Sequence, residues 1–292
     1  MVKKSSRPPL GDGEAAQAGD IAVTAAVDAV AGCDHGRLVK LRQRLVDNRV
    51  DLDATVELAA SLPWPKFERD TEYLSLHKPD EYAFIDGEIM SSDGVTFQAE
   101  QYKEFTNEYL VPHCSAKFTR NLRDSYMVGA LARFNNNYDQ LHPRAKAAAE
   151  KLGMRPKVTN TFLNTGAQVV EIVHCSEDAI QIIDQLLEMG VKPEPPAPVN
   201  LKPNAHGTGV CEVPRGMLIH SYTIDENGTM IGADCIIPTN QNVANLENDM
   251  RTLVPQIMHK PVEEMRLDLE MLVRAYDPCI SCSVHVLKVS TQ

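Results

Sequence analysis

Residues 192–203 constrain the chain most: they place five prolines in twelve positions. Each proline removes a backbone donor and fixes φ at about −65°. Regular helix and central strand are both excluded there, so the segment reads as a connector between two differently patterned regions. Before it, residues 160–189 carry Phe162, Val169, Val170, Ile172, Val173, Ile180, Ile183 and Leu187 at helical spacing. That is enough for an amphipathic helix of about six or seven turns, with Gly190 as its C-cap. After it, residues 217–224, the turn Asp225-Glu226-Asn227-Gly228 and residues 229–237 have the pattern of a β-hairpin.

The remaining periodicity is mostly helical. Leu38, Leu41, Leu45 and Val46 mark one short helix, and Val56, Leu58 and Leu62 mark another that stops at Pro63. Asp86-Gly87 and Asp93-Gly94 break residues 73–97 into short strands or a loop-rich hairpin. Further helices are expected over 97–111, 121–134, 143–152, 242–257 and 261–276. The helix at 121–134 is apolar on most sides and therefore buried. The fold class is mainly α with small β elements (α+β). Residues 1–36 carry no start signal for a core element and read as a poorly ordered segment, leaving 37–292 as one domain.

A net charge of −11 argues against a nucleic-acid partner and against an anionic membrane surface. No apolar run approaches the roughly 18–20 residues that span a bilayer. Residues 1–9 have the charge of a signal peptide with no apolar stretch behind it, so the chain reads as cytoplasmic. Seven cysteines, mostly scattered singly, make a poor disulfide framework. Cys33, Cys114, Cys175, Cys211 and the side chain of Cys235 read as small buried thiols.

Cys279 and Cys282 are the closely spaced pair. They sit in Asp277-Pro278-Cys279-Ile280-Ser281-Cys282-Ser283-Val284-His285, which places two thiols and an imidazole in nine residues at a helix end. Pro278 stops the helix, and two sulfurs three residues apart on a turn can chelate one metal. A structural zinc site calls for two more ligands at regular spacing, and no second such pair occurs. A thioredoxin-type pair opens a helix, whereas this one follows a helix. A pair of incidental core cysteines is the remaining alternative. His113-Cys114 and His174-Cys175 read as packing, and Gly207-Thr208-Gly209 lacks the setting of a phosphate loop.

The C-terminal run resembles the metal-binding signature of nickel–iron hydrogenase large subunits. Three other segments agree in order: Ser125-Tyr126-Met127-Val128-Gly129-Ala130-Leu131-Ala132-Arg133 with that family's buried G-x-L-A-R helix, Glu212-Val213-Pro214-Arg215-Gly216 with its E-x-P-R-G motif, and Ile237-Pro238-Thr239-Asn240 with its proline–hydroxyl–asparagine segment. The wording is most similar to the cytoplasmic, NAD(P)-linked branch. The likeness runs from about residue 40 to the end and implies the C-terminal two-thirds of a large subunit.

The resemblance implies a function and a ligand set. Cys279 would be a terminal nickel thiolate that also takes the proton when dihydrogen splits, and Cys282 would bridge nickel and iron. His285 and the backbone carbonyl of Cys235 would bind a magnesium ion. Arg215, beside Pro214, would face iron-bound cyanide as a catalytic group. Thr239 would donate to a second cyanide, and Asp277 would pair with Arg215. The cofactors implied are nickel, iron with cyanide and carbonyl ligands, and magnesium. The partners implied are an iron–sulfur small subunit, flavin and NAD(P) diaphorase subunits, and a maturation protease and chaperone. Glu212 and His220 read as structural.

The chain departs from the family in one respect. The R-x-C-G-x-C motif that supplies the other two nickel ligands has no counterpart in it. Two thiolates are too few to hold nickel and join it to iron, so this chain alone is expected to be inactive. The missing pair would lie on another chain, be lost by truncation or frameshift, or be absent. The rival reading is a non-catalytic subunit of a redox complex that binds zinc at Cys279, Cys282 and His285.

Overall fold

The computed structural model describes residues 35–192, 202 and 204–279. Cys33, nearly all of residues 1–36, most of the proline-rich connector, Cys282 and His285 lie outside the described residues. The chain divides into two compact units. One comprises residues 1–49 with 178–198, and the other comprises 50–177 with 199–292.

In the first unit, helix α1 (His35–Asp47) buries Leu38. Arg42 Nη2 donates to Asp184 Oδ2 at 3.0 Å. Both partners are well exposed to solvent, so the pair contributes little to stability.

The second unit holds helix α2 (Arg49–Ser61) from Val50 onward and the described β structure. Strands β1 (Glu72–His77), β2 (Glu88–Ser91) and β3 (Thr96–Phe97) pair antiparallel in sequence, as the Asp-Gly turns indicate. Helix α3 (Tyr102–Thr106) is only five residues long. The expected helix over 97–111 fails because Asn107, at φ 37°, takes the left-handed cap conformation. The chain then enters a second sheet, β4 (Tyr109–Val111) with β5 (Cys114–Phe118).

The expected helix over 121–134 is also shortened. Its first half is strand β6 (Tyr126–Met127), parallel to β1 with Glu72 opposite Tyr126. Gly129, at φ 111°, turns the chain, and helix α4 runs only from Ala130 to Asn137. Asn136 and Asn137 close it by donating to the edge of β1, at 3.0 Å to Ser75 Oγ and 2.9 Å to the Leu76 carbonyl. Helix α5 (Pro143–Lys151) has Pro143 in its first turn. The long helix α6 (Asn164–Met189) follows a short 3-10 turn, Thr161–Leu163, capped by Asn160.

Strand β7 (Ala205–Val213), β8 (Gly216–Ile224) and β9 (Met230–Ile236) form a three-stranded antiparallel sheet. The hairpin β8–β9 matches the sequence pattern, but β7 was not expected. Its Gly207 and Gly209 remove the side chains that would have marked a strand. Helix α7 (Pro238–Ile257) begins four residues earlier than the periodicity suggests, with Pro238 in its first turn. Helix α8 (Val262–Ala275) leads to Tyr276.

Two apolar clusters hold the second unit together. One gathers Leu131, Phe134, Ala149, Phe162, Val170, Leu253 and Leu272 from the helices. The other packs Met217, Ile219 and Ile236 of the β7–β9 sheet on Leu74, Ile89 and Tyr126. Each fully buried Leu, Ile, Phe or Met contributes about 1.5–3 kcal/mol. No helix among the described residues is long and apolar enough to cross a membrane.

Candidate metal-centre half-site

The Pro214-Arg215 loop is the two-residue link between β7 and β8, with Val213 opposite Gly216. Three hydrogen bonds fix it, and a fourth ties the same asparagine to Val128. The Arg133 guanidinium donates to the Val213 carbonyl at 2.9 Å and to the Pro214 carbonyl at 3.2 Å. From the other side, Asn242 Nδ2 donates to the Arg215 carbonyl at 3.4 Å and to the Val128 carbonyl at 3.2 Å. Gly216, at φ 133°, lets the loop lie directly on Val128 and Gly129.

Arg133 is buried and charged, and it is held by two carboxylates. Its Nε and Nη2 grip Glu171 at 2.6 and 2.7 Å, and Nη1 reaches Glu212 at 2.8 Å. Burial pushes the Glu212 carboxyl up, and Arg133 and the Leu76 N–H oppose that shift. Tyr82 Oη donates to Glu171 at 2.7 Å, and the Leu76 N–H donates to Glu212 at 2.9 Å. Glu212 is thus structural, as expected, while the structural part of Arg133 was not singled out. An arginine at the end of an otherwise apolar helix face was the available signal.

A second buried network anchors the end of α8. Tyr276 Oη donates to Asp249 Oδ2 at 2.6 Å and accepts from Asn245 Nδ2 at 2.8 Å. Asp249 also accepts from Thr161 at 2.7 Å and pairs with Arg69. Asn164 Nδ2 donates to the Ala275 carbonyl at 2.7 Å. These contacts fix where the Asp277-Pro278-Cys279 turn leaves the helix.

The turn meets the loop there. Arg215 Nε donates to the Asp277 carbonyl, and Nη2 lies 3.1 Å from Asp277 Oδ1. Asp277 stands at φ 49°, a left-handed conformation that Asp tolerates better than most residues but that costs about 1–3 kcal/mol. The double grip of Arg215 offsets that cost. Thr239, buried in the first turn of α7, accepts from the Cys279 N–H at 3.2 Å. Arg215, Asp277, Thr239 and Cys279 are therefore brought together from three segments far apart in sequence.

Other expected positions fall differently. The Cys235 side chain is exposed on β9, its sulfur 3.7 Å from Tyr222 Oη, which corrects the expectation of a buried thiol. Ile236 faces the core, so strand alternation turns Cys235 outward. His220 Nδ1 lies 2.5 Å from Tyr222 Oη. Cys114 and Cys211 are half-buried and Cys175 is exposed, so these thiols too are less buried than expected. The His174 ring packs 4.8 Å from that of Tyr82, in keeping with a packing role.

Replacing Thr239 by valine keeps the shape and removes the acceptor for the Cys279 N–H. The expected loss is about 0.5–1.5 kcal/mol, with faster amide exchange at Cys279; Thr239→Ser retains both. An unchanged exchange rate in the valine variant would show that this contact does not hold the turn.

Residues 112–285 match the family model described as nickel-dependent hydrogenase. The chain belongs to the nickel-dependent hydrogenase family. It is 35% identical to the alpha subunit of sulfhydrogenase 1 of Pyrococcus furiosus over 86% of this chain and 59% of that one. It is 32% identical to the beta subunit of the NAD-reducing hydrogenase HoxS of Cupriavidus necator over 56% of this chain and 34% of the relative. Among solved structures, an NAD+-reducing [NiFe]-hydrogenase in the H2-reduced state superposes with a TM-score of 0.71 at 24% identity, over 86% of this chain and 60% of that one. The Ni-Fe-Se hydrogenase of Desulfovibrio vulgaris Hildenborough superposes with a TM-score of 0.58 at 18% identity, over 86% of this chain and 62% of the other. These superpositions establish the large-subunit fold over the described region. The chain spans about 60% of the length of sulfhydrogenase 1 alpha.

The fit of the family's metal group to these residues is partial. Among the described residues no three His, Cys, Asp or Glu side chains are grouped so as to hold a metal ion. The described part contributes Cys279, whose sulfur is disulfide-bonded in this structure and would have to be reduced to serve as a metal ligand, on a turn fixed at both ends. Next to Thr239 in sequence, Asn240 is 2% exposed and its Oδ1 has no hydrogen-bond partner among the described residues.

Proposed function

We propose that this chain provides the distal half of the nickel–iron centre of a hydrogenase large subunit, with Cys279 and Cys282 as its thiolate donors. The convergence of Arg215, Asp277, Thr239 and Cys279 supports this reading. When bound, such a centre supplies the site at which dihydrogen is split into protons and electrons. His285 and the Cys235 carbonyl would serve a separate magnesium ion. The two further thiolates that the centre needs have no counterpart in these 292 residues, so they would have to come from elsewhere.

The chain's own residues carry the remaining tasks. Thr239 Oγ1 accepts from the Cys279 N–H, and a hydroxyl that accepts still has its own proton to donate. That proton suits an anionic ligand such as cyanide. Thr239 also lies in the first turn of a 20-residue helix, whose positive N-terminal end favours an anionic ligand placed beside it. The Arg215 side chain is 38% exposed, so its guanidinium is accessible while Asp277 orients it. A fixed cation of this kind stabilises charge that develops beside it. Electrons would leave through an iron–sulfur small subunit, and from there to NAD(P) through a flavin-bearing subunit. Loading would call on a nickel chaperone and a maturation protease.

Metal analysis of the purified complex tests the reading: nickel and iron are expected, and zinc alone would replace it with a structural metal site. Cys279→Ser is expected to lose nickel; a wild-type nickel content in that variant would defeat the assignment.

A further inference from the structure

None of the four converging residues lines a cavity of about 640 Å³ elsewhere in the second unit. It opens between residues 66–68, residues 153–163 and the end of α7 at Gln256. Its volume lies in the range of small-ligand pockets, about 300–1,000 Å³. Phe67 and Val158 are buried and Leu163 is half-buried, which gives the cavity an apolar floor. Lys66, Arg155 and Lys157 are exposed at its rim, against the single acid Glu68. This local excess of positive charge stands out in a chain of net charge −11.

The cations are available and the walls are fixed. Among the described residues neither Lys66 nor Arg155 makes an ion pair or hydrogen bond through its side chain. Lys157 Nζ lies 3.3 Å from Asp70 and 5.5 Å from the centre of the Tyr73 ring, contacts that orient it. Asn160 Nδ2 donates to the Pro65 carbonyl at 2.8 Å, tying the two rims together. The Asn135 carboxamide bonds both the N–H and the carbonyl of Val158, each at 2.9 Å.

We propose that this cavity binds a small organic phosphate, with the phosphate on Lys66, Arg155 and Lys157 and the organic part on Phe67, Val158 and Leu163. Three lining bases against one lining acid, with Asp70 shared between Lys157 and Arg123, match a dianion better than a single carboxylate. Arginine offers a planar fork to phosphate oxygens, and lysine offers a compact charge. The apolar floor gives a phosphate with an attached ring more contact area than a bare inorganic ion. The cavity shares no lining residue with the Arg215, Thr239, Asp277 and Cys279 cluster.

Calorimetric titration of the full chain with ADP, inorganic pyrophosphate and adenosine tests each part. ADP is expected to bind at one saturable site, and pyrophosphate more weakly. Adenosine should show no saturable binding, and added salt should weaken ADP. The double variant Lys66→Glu/Arg155→Glu should bind ADP at least about tenfold more weakly, while Lys103→Glu, outside the cavity, should match the parent. Both mutated side chains are exposed and, among the described residues, unpaired, so the melting temperature should not move. If it does, Lys66→Gln/Arg155→Gln gives the same comparison. Absence of saturable ADP binding at millimolar concentration, or equal affinity in the double variant and parent, overturns the site. Pyrophosphate binding as tightly as ADP overturns the organic contact, and adenosine binding as tightly overturns the phosphate contact.

Discussion

Arg133→Met is expected to destabilise the chain by about 3–5 kcal/mol, a large share of the roughly 5–15 kcal/mol available to a folded domain. The Arg133 and Glu212 side chains are 1% and 0% exposed, and Glu171 is 10% exposed. Removing the cation leaves both carboxylates buried without a counter-charge, and the loop loses its anchors at Val213 and Pro214. The loss should depend on pH. Burial already holds the Glu212 pKa above its ordinary value, and without the opposing arginine it rises further above the unfolded value of about 4.3. A raised pKa gives stability that is fully present below the unfolded pKa and lost as pH rises through the folded pKa. The variant should therefore be closer to wild type near pH 5 than near pH 8 in urea denaturation. Adding Glu171→Gln and Glu212→Gln should recover part of the loss at pH 8. Equal losses at both pH values would show that the carboxylates are not the source.

Gly216→Ala should be nearly as damaging, for steric reasons. A Cβ at that position would lie 2.3 Å from Val128 Cγ2 and 2.7 Å from Val128 Cβ, with φ at 133°. The backbone term costs about 1–3 kcal/mol and the overpacking about as much again. The β7–β8 loop would be pushed off the Val128-Gly129 segment, carrying Arg215 away from Asp277. The companion change Val128→Ala removes the Cγ2 clash but leaves the Cβ contact and the positive φ. The pair should thus recover only part of the melting temperature. A single variant that melts with wild type would show that the loop is not pressed against Val128.

Local patterns were legible in the sequence because each is written in adjacent residues. Alternation and an Asp-Glu-Asn-Gly turn announced β8 and β9, helical spacing announced α6, and Pro278 marked the break after α8. The same locality made four motifs recognisable. What failed were elements that the local residue pattern does not mark. β6 exists because β1 offers it a parallel edge, and β7 because β8 does, in spite of two glycines. The helix expected over 97–111 ended at an asparagine whose left-handed conformation no periodicity reports.

The sequence by itself determined the thiol pair, the Pro-Arg-Gly loop and the threonine after Pro238, since these are fixed by order along the chain. Only the tertiary structure decided that Arg215 grips Asp277, that Thr239 holds the Cys279 N–H, and that Arg133 and Asn242 fasten the loop. Those contacts join residues 27 to 81 positions apart. Buried hydrogen bonds and ion pairs depend on which side chains the apolar core brings within about 3 Å, and sequence spacing carries no measure of that distance. For the C-terminal run, then, the residue types fixed which chemistry is possible, and packing fixed where Cys279 stands to take part in it.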